Sequence, residues 1–173
     1  MIGCRCGTVQ LEVSGPPILV AECGCTSCQT AGAALASLAG ARPILTDYGT
    51  TPYVLMRKDR VRITQGAEHL AEHRLTPTSK TRRVVATCCN TPVFLEFKGG
   101  HWLSVYAALW PEGTAPKAEL RTMTRDLPDP SGLPTDIPNA KTQTPGFMWR
   151  LLKAWVAMGF RSPDIDVKKV LNV

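Results

Sequence analysis

With 173 residues, 44% hydrophobic and 20% charged, the chain is long enough to bury one real core, and disorder is excluded as its default state. Its net charge of +6, from 20 Lys+Arg against 14 Asp+Glu, favours anionic partners without choosing between small acidic substrates and nucleic acid. The opening Met1-Ile2-Gly3-Cys4-Arg5-Cys6 has neither the basic region nor the apolar run of a secretory signal, and the small-residue stretch 31–41 is too short to span a bilayer. The expected location is therefore cytoplasmic, with no membrane partner. In a reducing compartment seven cysteines, an odd number, read as metal ligands or reactive thiols rather than a disulfide framework.

In chain order, Cys4-Arg5-Cys6 stands directly before an alternating segment. Val9, Leu11 and Val13 point one way and Thr8, Gln10 and Glu12 the other, as in a half-buried strand. Gly15-Pro16-Pro17 ends it, and residues 18–21 predict a second short strand that delivers the chain to Cys23-Gly24-Cys25-Thr26-Ser27-Cys28. Three thiols within so few residues are too close to staple separate parts of a fold, but one bend of backbone can aim them at a single ion. Structural zinc sites are closed by four protein ligands, whereas catalytic ones keep a position open. Three thiolates therefore suggest an open site, the alternative being a structural knuckle completed by a cysteine from elsewhere. Residues 29–39 predict a helix capped by Thr26 or Ser27. That helix places Cys28 in a first turn whose dipole and free N–H groups favour a thiolate.

Residues 43–52 read as a turn-rich connection and 53–64 as a hairpin carrying Arg57, Lys58, Arg60 and Arg62. That basic stripe fits either a solvated sheet face or a site for carboxylate or phosphate. His69-Leu70-Ala71-Glu72-His73 matches the H-x-x-E-H pattern of one class of zinc peptidases. No helix surrounds it, and it reads more simply as a strand with ordinary histidines, as does His101. Further strands are predicted over 93–97 and 102–109. Residues 111–145 hold seven of the 14 prolines and predict an irregular wrap or lid. Thr144-Pro145 opens a helix that Gly159 stops, with Met148, Leu151, Leu152 and Trp155 forming an apolar stripe that docks on the sheet.

The cysteines thus form three groups: Cys4 and Cys6; Cys23, Cys25 and Cys28; Cys88 and Cys89. The first and third flank strands and could meet to close a structural site. Adjacent residues of a strand face opposite ways, which leaves three arrangements open. A turn could bring both Cys88 and Cys89 to the first group, Cys89 could join it alone, or Cys88 could close the central group.

Over residues 3–109 the sequence resembles the glutathione-dependent formaldehyde-activating enzyme family, whose relatives include centromere protein V. The motifs that carry the resemblance are Gly3-Cys4-Arg5-Cys6-Gly7-Thr8-Val9, Cys23-Gly24-Cys25-Thr26-Ser27-Cys28-Gln29 and Cys89-Asn90-Thr91-Pro92-Val93-Phe94. Two positions depart from that family's third motif: Ala86 stands where it has a cysteine and Asn90 where it has glycine. The resemblance implies a mainly β, compact, zinc-stabilised fold of several small antiparallel sheets with short helices and a C-terminal amphipathic helix. Residues 1–110 would form the zinc-binding β domain, with 111–173 packed on it. It further implies two Zn²⁺ ions, one structural and one catalytic on Cys23, Cys25 and Cys28, the full ligand set being these with Cys4, Cys6, Cys88 and Cys89. The implied activity is that of a carbon–sulfur lyase on a thiol–aldehyde adduct such as S-hydroxymethylglutathione, with glutathione and formaldehyde as partners. Arginines of the basic stripe are candidates for the tripeptide's carboxylates. The alternative is a non-catalytic zinc-stabilised binding module whose basic surface engages an acidic partner. Few aromatics (6%) and no recognition helix argue against nucleic acid. A redox or metal-sensing use of the vicinal Cys88-Cys89 pair is a third reading.

Overall fold

The computed structural model describes residues 1–173. Its strands are β1 (Ile2–Gly3), β2 (Gln10–Val13), β3 (Leu19–Cys23), β4 (Thr51–Arg57), β5 (Val61–Gln65), β6 (Leu70–His73), β7 (Thr81–Ala86), β8 (Thr91–Phe97), β9 (Trp102–Tyr106), β10 (Leu120–Thr122) and β11 (Lys169–Val170), with helices α1 (Thr26–Ala36) and α2 (Pro145–Ala157). The fold is mainly β, as the sequence predicts. Strands β1-β2-β5 form a small sheet and β10-β3-β4-β9-β8-β7-β6-β11 a large one. No helix is long and apolar enough to cross a membrane.

Alternation along the central strands explains the layering. Val20, Val54, Met56, Phe94, Leu103 and Val105 leave the large sheet on one side and pack with Ile2, Val9 and Leu11 of the small-sheet region. Leu19, Ala21, Tyr53, Leu55, Leu95 and Tyr106 leave on the other side and pack with Cys28 and Leu35 of α1 and Phe147 and Leu151 of α2. The large sheet is thus covered on both faces, by a sheet on one and by helices on the other, and each fully buried Val, Leu or Phe contributes about 1.5–3 kcal/mol. Its two edges are set by the last third of the chain: β10 runs parallel to β3, and β11 parallel to β6.

Three local expectations are corrected. Residues 53–64 do not form a hairpin: β4 lies between β3 and β9 in the large sheet, while β5 pairs with β2 in the small one. A single 3-10 turn, Lys58–Arg60, carries the chain from one layer to the other. Helix α1 begins one residue after Cys25, which is its N-cap, and neither Thr26 nor Ser27 caps it. In α2 the expected Thr144 cap is present, its hydroxyl accepting the Phe147 N–H at 3.1 Å. The buried stripe, however, runs through Phe147 and Leu151, while Met148 and Leu152 are 50% and 42% exposed. Apolar residues surround most of this helix, so periodicity alone does not choose its inner face.

Three of the four residues of the basic stripe are paired, Arg60 being the exception. Arg57 binds Asp59 at 2.6 Å, Arg62 binds Glu12, and buried Lys58 pairs with Glu96. Glu96 also receives Arg82 at 2.6 Å, and Arg82 bridges to Glu72 at 2.9 Å.

Candidate metal centre

The three central cysteines arrive from three kinds of backbone. Cys23 ends β3, Cys25 is the extended residue before α1 (φ −65°, ψ 150°), and Cys28 is in the first helical turn, its N–H bonded to the Cys25 carbonyl at 2.9 Å. Gly24 between them donates to the Thr122 carbonyl at 2.9 Å. A Cβ there would come within 2.9 Å of the Leu127 side chain, so glycine lets the bend lie against that residue. The three sulfurs fall within 4.8 Å of one another, and no fourth Cys, His, Asp or Glu joins the group. The close approach of the Cys23 and Cys28 thiols lowers the pKa of Cys25, and the same neighbours raise that of Cys23. Three thiols this close together, with one of them readily ionised, suit a soft dication.

The second group is closed. A tight turn at Cys4 (Cys4 N–H to Val9 O, Gly7 N–H to Cys4 O, both 2.9 Å) folds Cys6 back toward it, with Gly7 at φ +78°. A turn over residues 87–90, ending in left-handed Asn90 (φ 52°), presents both Cys88 and Cys89 to the same point. Of the three arrangements left open by the sequence this is the first, and Cys88 does not approach the central group. The Sγ separations are 3.5 Å for Cys4–Cys6, 3.7 Å for Cys4–Cys88 and 3.4 Å for Cys6–Cys88. Four sulfurs at about 2.3 Å from one ion in a tetrahedron lie about 3.8 Å apart, far from the roughly 2.05 Å of a disulfide. All seven thiols are free. The Val9 N–H donates to Cys4 Sγ at 3.2 Å, and Thr8 and Thr91 hydroxyls lie 3.2 and 3.1 Å from Cys6 and Cys89. The Thr8 contacts draw the Cys6 thiol down to about 6. Both donor sets therefore fit zinc.

A cavity of about 270 Å³ runs up to Cys23, Cys25 and Cys28 between the helix-side face of the large sheet and α2. Thr122, Met123 and Gln143 of the proline-rich wrap form part of its wall. The wrap is tied to the site: Asp126 accepts the Thr26 N–H at 3.4 Å, and the Gln29 amide bridges the carbonyls of Gly24 (2.7 Å) and Asp126 (2.9 Å). A larger hollow of about 410 Å³ touches Cys4 but none of the other six cysteines.

Three further residues belong to the site. Arg83 is fully buried and donates to the Ser27 carbonyl at 2.9 Å and the Ser27 hydroxyl at 3.2 Å, while its Nε and Nη1 find no partner. Tyr53 Oη lies 3.7 Å from Cys28 Sγ, and Tyr106 packs on Tyr53 with ring centroids 5.0 Å apart. Burial raises both phenol pKa values, that of Tyr106 to about 12. Sequence patterns gave no signal for the tyrosines; for Arg83 the sole hint is a charge inside the apolar run 83–86. The histidines stand apart from both groups: His69 is half-buried beside Glu68, His73 sits on the strand predicted for it, and buried His101 contacts the Leu151 carbonyl at 2.9 Å.

A family model described as a family of unknown function, DUF6151, matches residues 1–109. The chain belongs to the DUF6151 family. All seven cysteines of this DUF6151 chain lie within the matched residues, whereas Met123, Gln143 and Phe147 of the cavity wall lie beyond them. Among solved structures, the crystal structure of a Rhodobacter sphaeroides protein is similar at 18% identity over 80% of this chain and 97% of its own, with a TM-score of 0.48. No curated protein matches the chain.

Proposed function

We propose that this DUF6151 protein is a two-zinc carbon–sulfur lyase acting on a thiol–aldehyde adduct at Cys23, Cys25 and Cys28, with the second ion structural on Cys4, Cys6, Cys88 and Cys89. The observation that carries the reading is a three-thiol group, lacking a fourth protein donor, at the end of a cavity. In the forward direction the thiol sulfur bonds to the aldehyde carbon, the carbonyl π pair moves to oxygen, and the proton lost by the thiol ends on that oxygen. The lyase direction reverses each step. A zinc ion bound there supplies Lewis acidity and a lowered thiol pKa at neutral pH. The chain's own residues hold and isolate the reactants. The α1 N-terminus and buried Arg83 offset the negative charge of the thiolates, and Tyr53 offers a hydroxyl beside Cys28. The sequence resemblance points to S-hydroxymethylglutathione as the adduct.

The alternative, a binding module with a basic docking surface, draws little support from residues 57–62, where Arg57, Lys58 and Arg62 are each neutralised by a carboxylate of the chain itself.

The test is zinc content, stability and turnover of the full chain purified under reducing conditions. Wild type holds two ions. Cys25→Ser holds one, is destabilised less than Cys4→Ser and no longer interconverts adduct and free thiol, as followed by NMR. Cys4→Ser loses the other ion and is destabilised far more, because the binding free energy of a structural zinc, about 10–16 kcal/mol in zinc-finger peptides, is folding free energy. Equal destabilisation by the two substitutions, or a single ion in wild type, overturns the division into an open and a closed site.

A further inference from the structure

The chemistry of the cavity bears on which thiol and aldehyde reach Cys25. Its lining is mostly hydrophobic and holds no Asp, Glu, Lys, Arg or His. Phe97 and Trp102 form one wall with ring centroids 5.4 Å apart, and Phe147 comes in from α2. The volume of about 270 Å³ is near the lower end for ligand pockets; a 150 Å³ apolar cavity suffices for benzene. There is thus room for one ring and a short arm.

Glutathione carries two carboxylates and an ammonium at neutral pH. To enter this cavity it would have to shed water from those groups without gaining counter-charges, which is strongly unfavourable. Two nearby guanidinium groups are occupied or sealed, and the exposed Lys80 and Lys98, which precede and follow the wall residues Thr81 and Phe97 in sequence, line a separate hollow rather than this cavity. Arg121, next to the wall residue Thr122, is held by Glu22 at 2.9 Å and Asp136 at 2.8 Å. Arg83 is fully buried and does not line the cavity. The exposed rim residue Gln143 is neutral.

We infer that the cavity selects a small, neutral, apolar thiol or aldehyde, aromatic ones included, and discriminates against the charged tripeptide. This rests on the reading that Cys23, Cys25 and Cys28 hold a metal ion with an open position.

The experiment uses the full chain loaded with Co²⁺, titrated with phenylmethanethiol and, separately, with glutathione. Sulfur-to-cobalt absorption bands lost in Cys25→Ser report the ion at the three-thiol site. Their perturbation by added thiol, together with quenching of Trp102 fluorescence (absent in Trp102→Phe), reports binding in the cavity. The expected result is phenylmethanethiol binding about 100-fold or more tighter than glutathione. Gln143→Arg, which places a cation at the rim without disturbing the core, tightens glutathione by about tenfold. Bands present with equal affinity for the two thiols, or tighter glutathione binding in wild type, overturn this inference and leave the metal site standing. Absence of Cys25-dependent bands overturns the metal reading and this inference with it.

Discussion

Replacing Arg83 with methionine asks whether the thiol cluster is charged. The guanidinium is fully buried, and its hydrogen bonds go to Ser27 alone, at 2.9 and 3.2 Å. No carboxylate forms an ion pair with it, whereas Arg57, Arg82 and Arg121 each have one. A buried arginine without an anion is unfavourable, and replacing it by hydrocarbon of similar volume is then neutral or stabilising by about 1–4 kcal/mol. The geometry supplies a candidate anion, since Ser27 sits between Cys25 and Cys28 and three thiolates around a dication carry net charge of about −1. If that charge is what Arg83 balances, Arg83→Met strands it and costs about 3–5 kcal/mol, while Arg83→Lys, which keeps the charge and loses the fork, recovers part of the loss. The assay is urea unfolding of zinc-loaded protein, read as a shift in midpoint at unchanged slope. In heat the same loss lowers the midpoint by about 10 °C or more for a chain of this size. An Arg83→Met protein as stable as wild type, or more so, would falsify the claim that the cluster is anionic, and with it the case for a metal-thiolate centre there.

Two other outcomes follow from buried charge. Glu96→Gln leaves Lys58 and Arg82 facing each other without the carboxylate both contact, and urea unfolding should show a loss of about 3–5 kcal/mol; a loss below about 1 kcal/mol would mean that water screens the pair. Burial lowers the His101 pKa below its ordinary 6.5. The unfolded chain therefore takes up a proton below about pH 6.5 that the folded chain resists, and stability present above that pH is lost as pH falls through the window beneath it. Thermal midpoints of wild type should drop between about pH 7 and pH 5 more steeply than those of His101→Phe, and parallel profiles would refute the assignment.

What could be read from the sequence was local. The strand through Val9, Leu11 and Val13 declared itself because one face is core and the other is not: Val9 and Leu11 have no exposed surface. The ends of α2 were legible because Thr144, Pro145 and Gly159 act through their own backbone, Gly159 taking φ +61°. The three-cysteine bend was legible for the same reason. Long-range pairing was not. The turn after Arg57 looks like a hairpin turn in sequence, and the partner strands β2 and β9, drawn from opposite directions along the chain, decide that β4 and β5 part company. The parallel edges β10 and β11 pair with strands about a hundred residues away and carry no periodic signal of their own. Arg83 was hidden because Arg82-Arg83 reads as one solvated basic pair. Yet neighbours in a strand face opposite ways: Arg82 reaches Glu72 and Glu96, and Arg83 reaches Ser27.

The topology separates the seven thiols from part of the cavity wall. Both cysteine groups belong to the part of the chain that the DUF6151 family model covers, but to different layers: Cys4 packs in the small-sheet layer and Cys28 in the helix layer. The four-thiol group fastens the start of the chain to the turn at residues 87–90, where a closed shell serves best. The three-thiol group stands where β3 ends, and of the two strands beside it there β4 lies within the matched residues and β10 outside them. Met123, Gln143 and Phe147, the wall residues that follow β10, supply none of the seven thiols, although Phe147 packs in the same cluster as Cys28. Relatives sharing the cysteines but differing in this tail should keep their metal content and differ in the thiol or aldehyde they accept. Exchanging residues 111–173 between two such relatives and finding that zinc stoichiometry, rather than ligand preference, moves with the tail would contradict that separation.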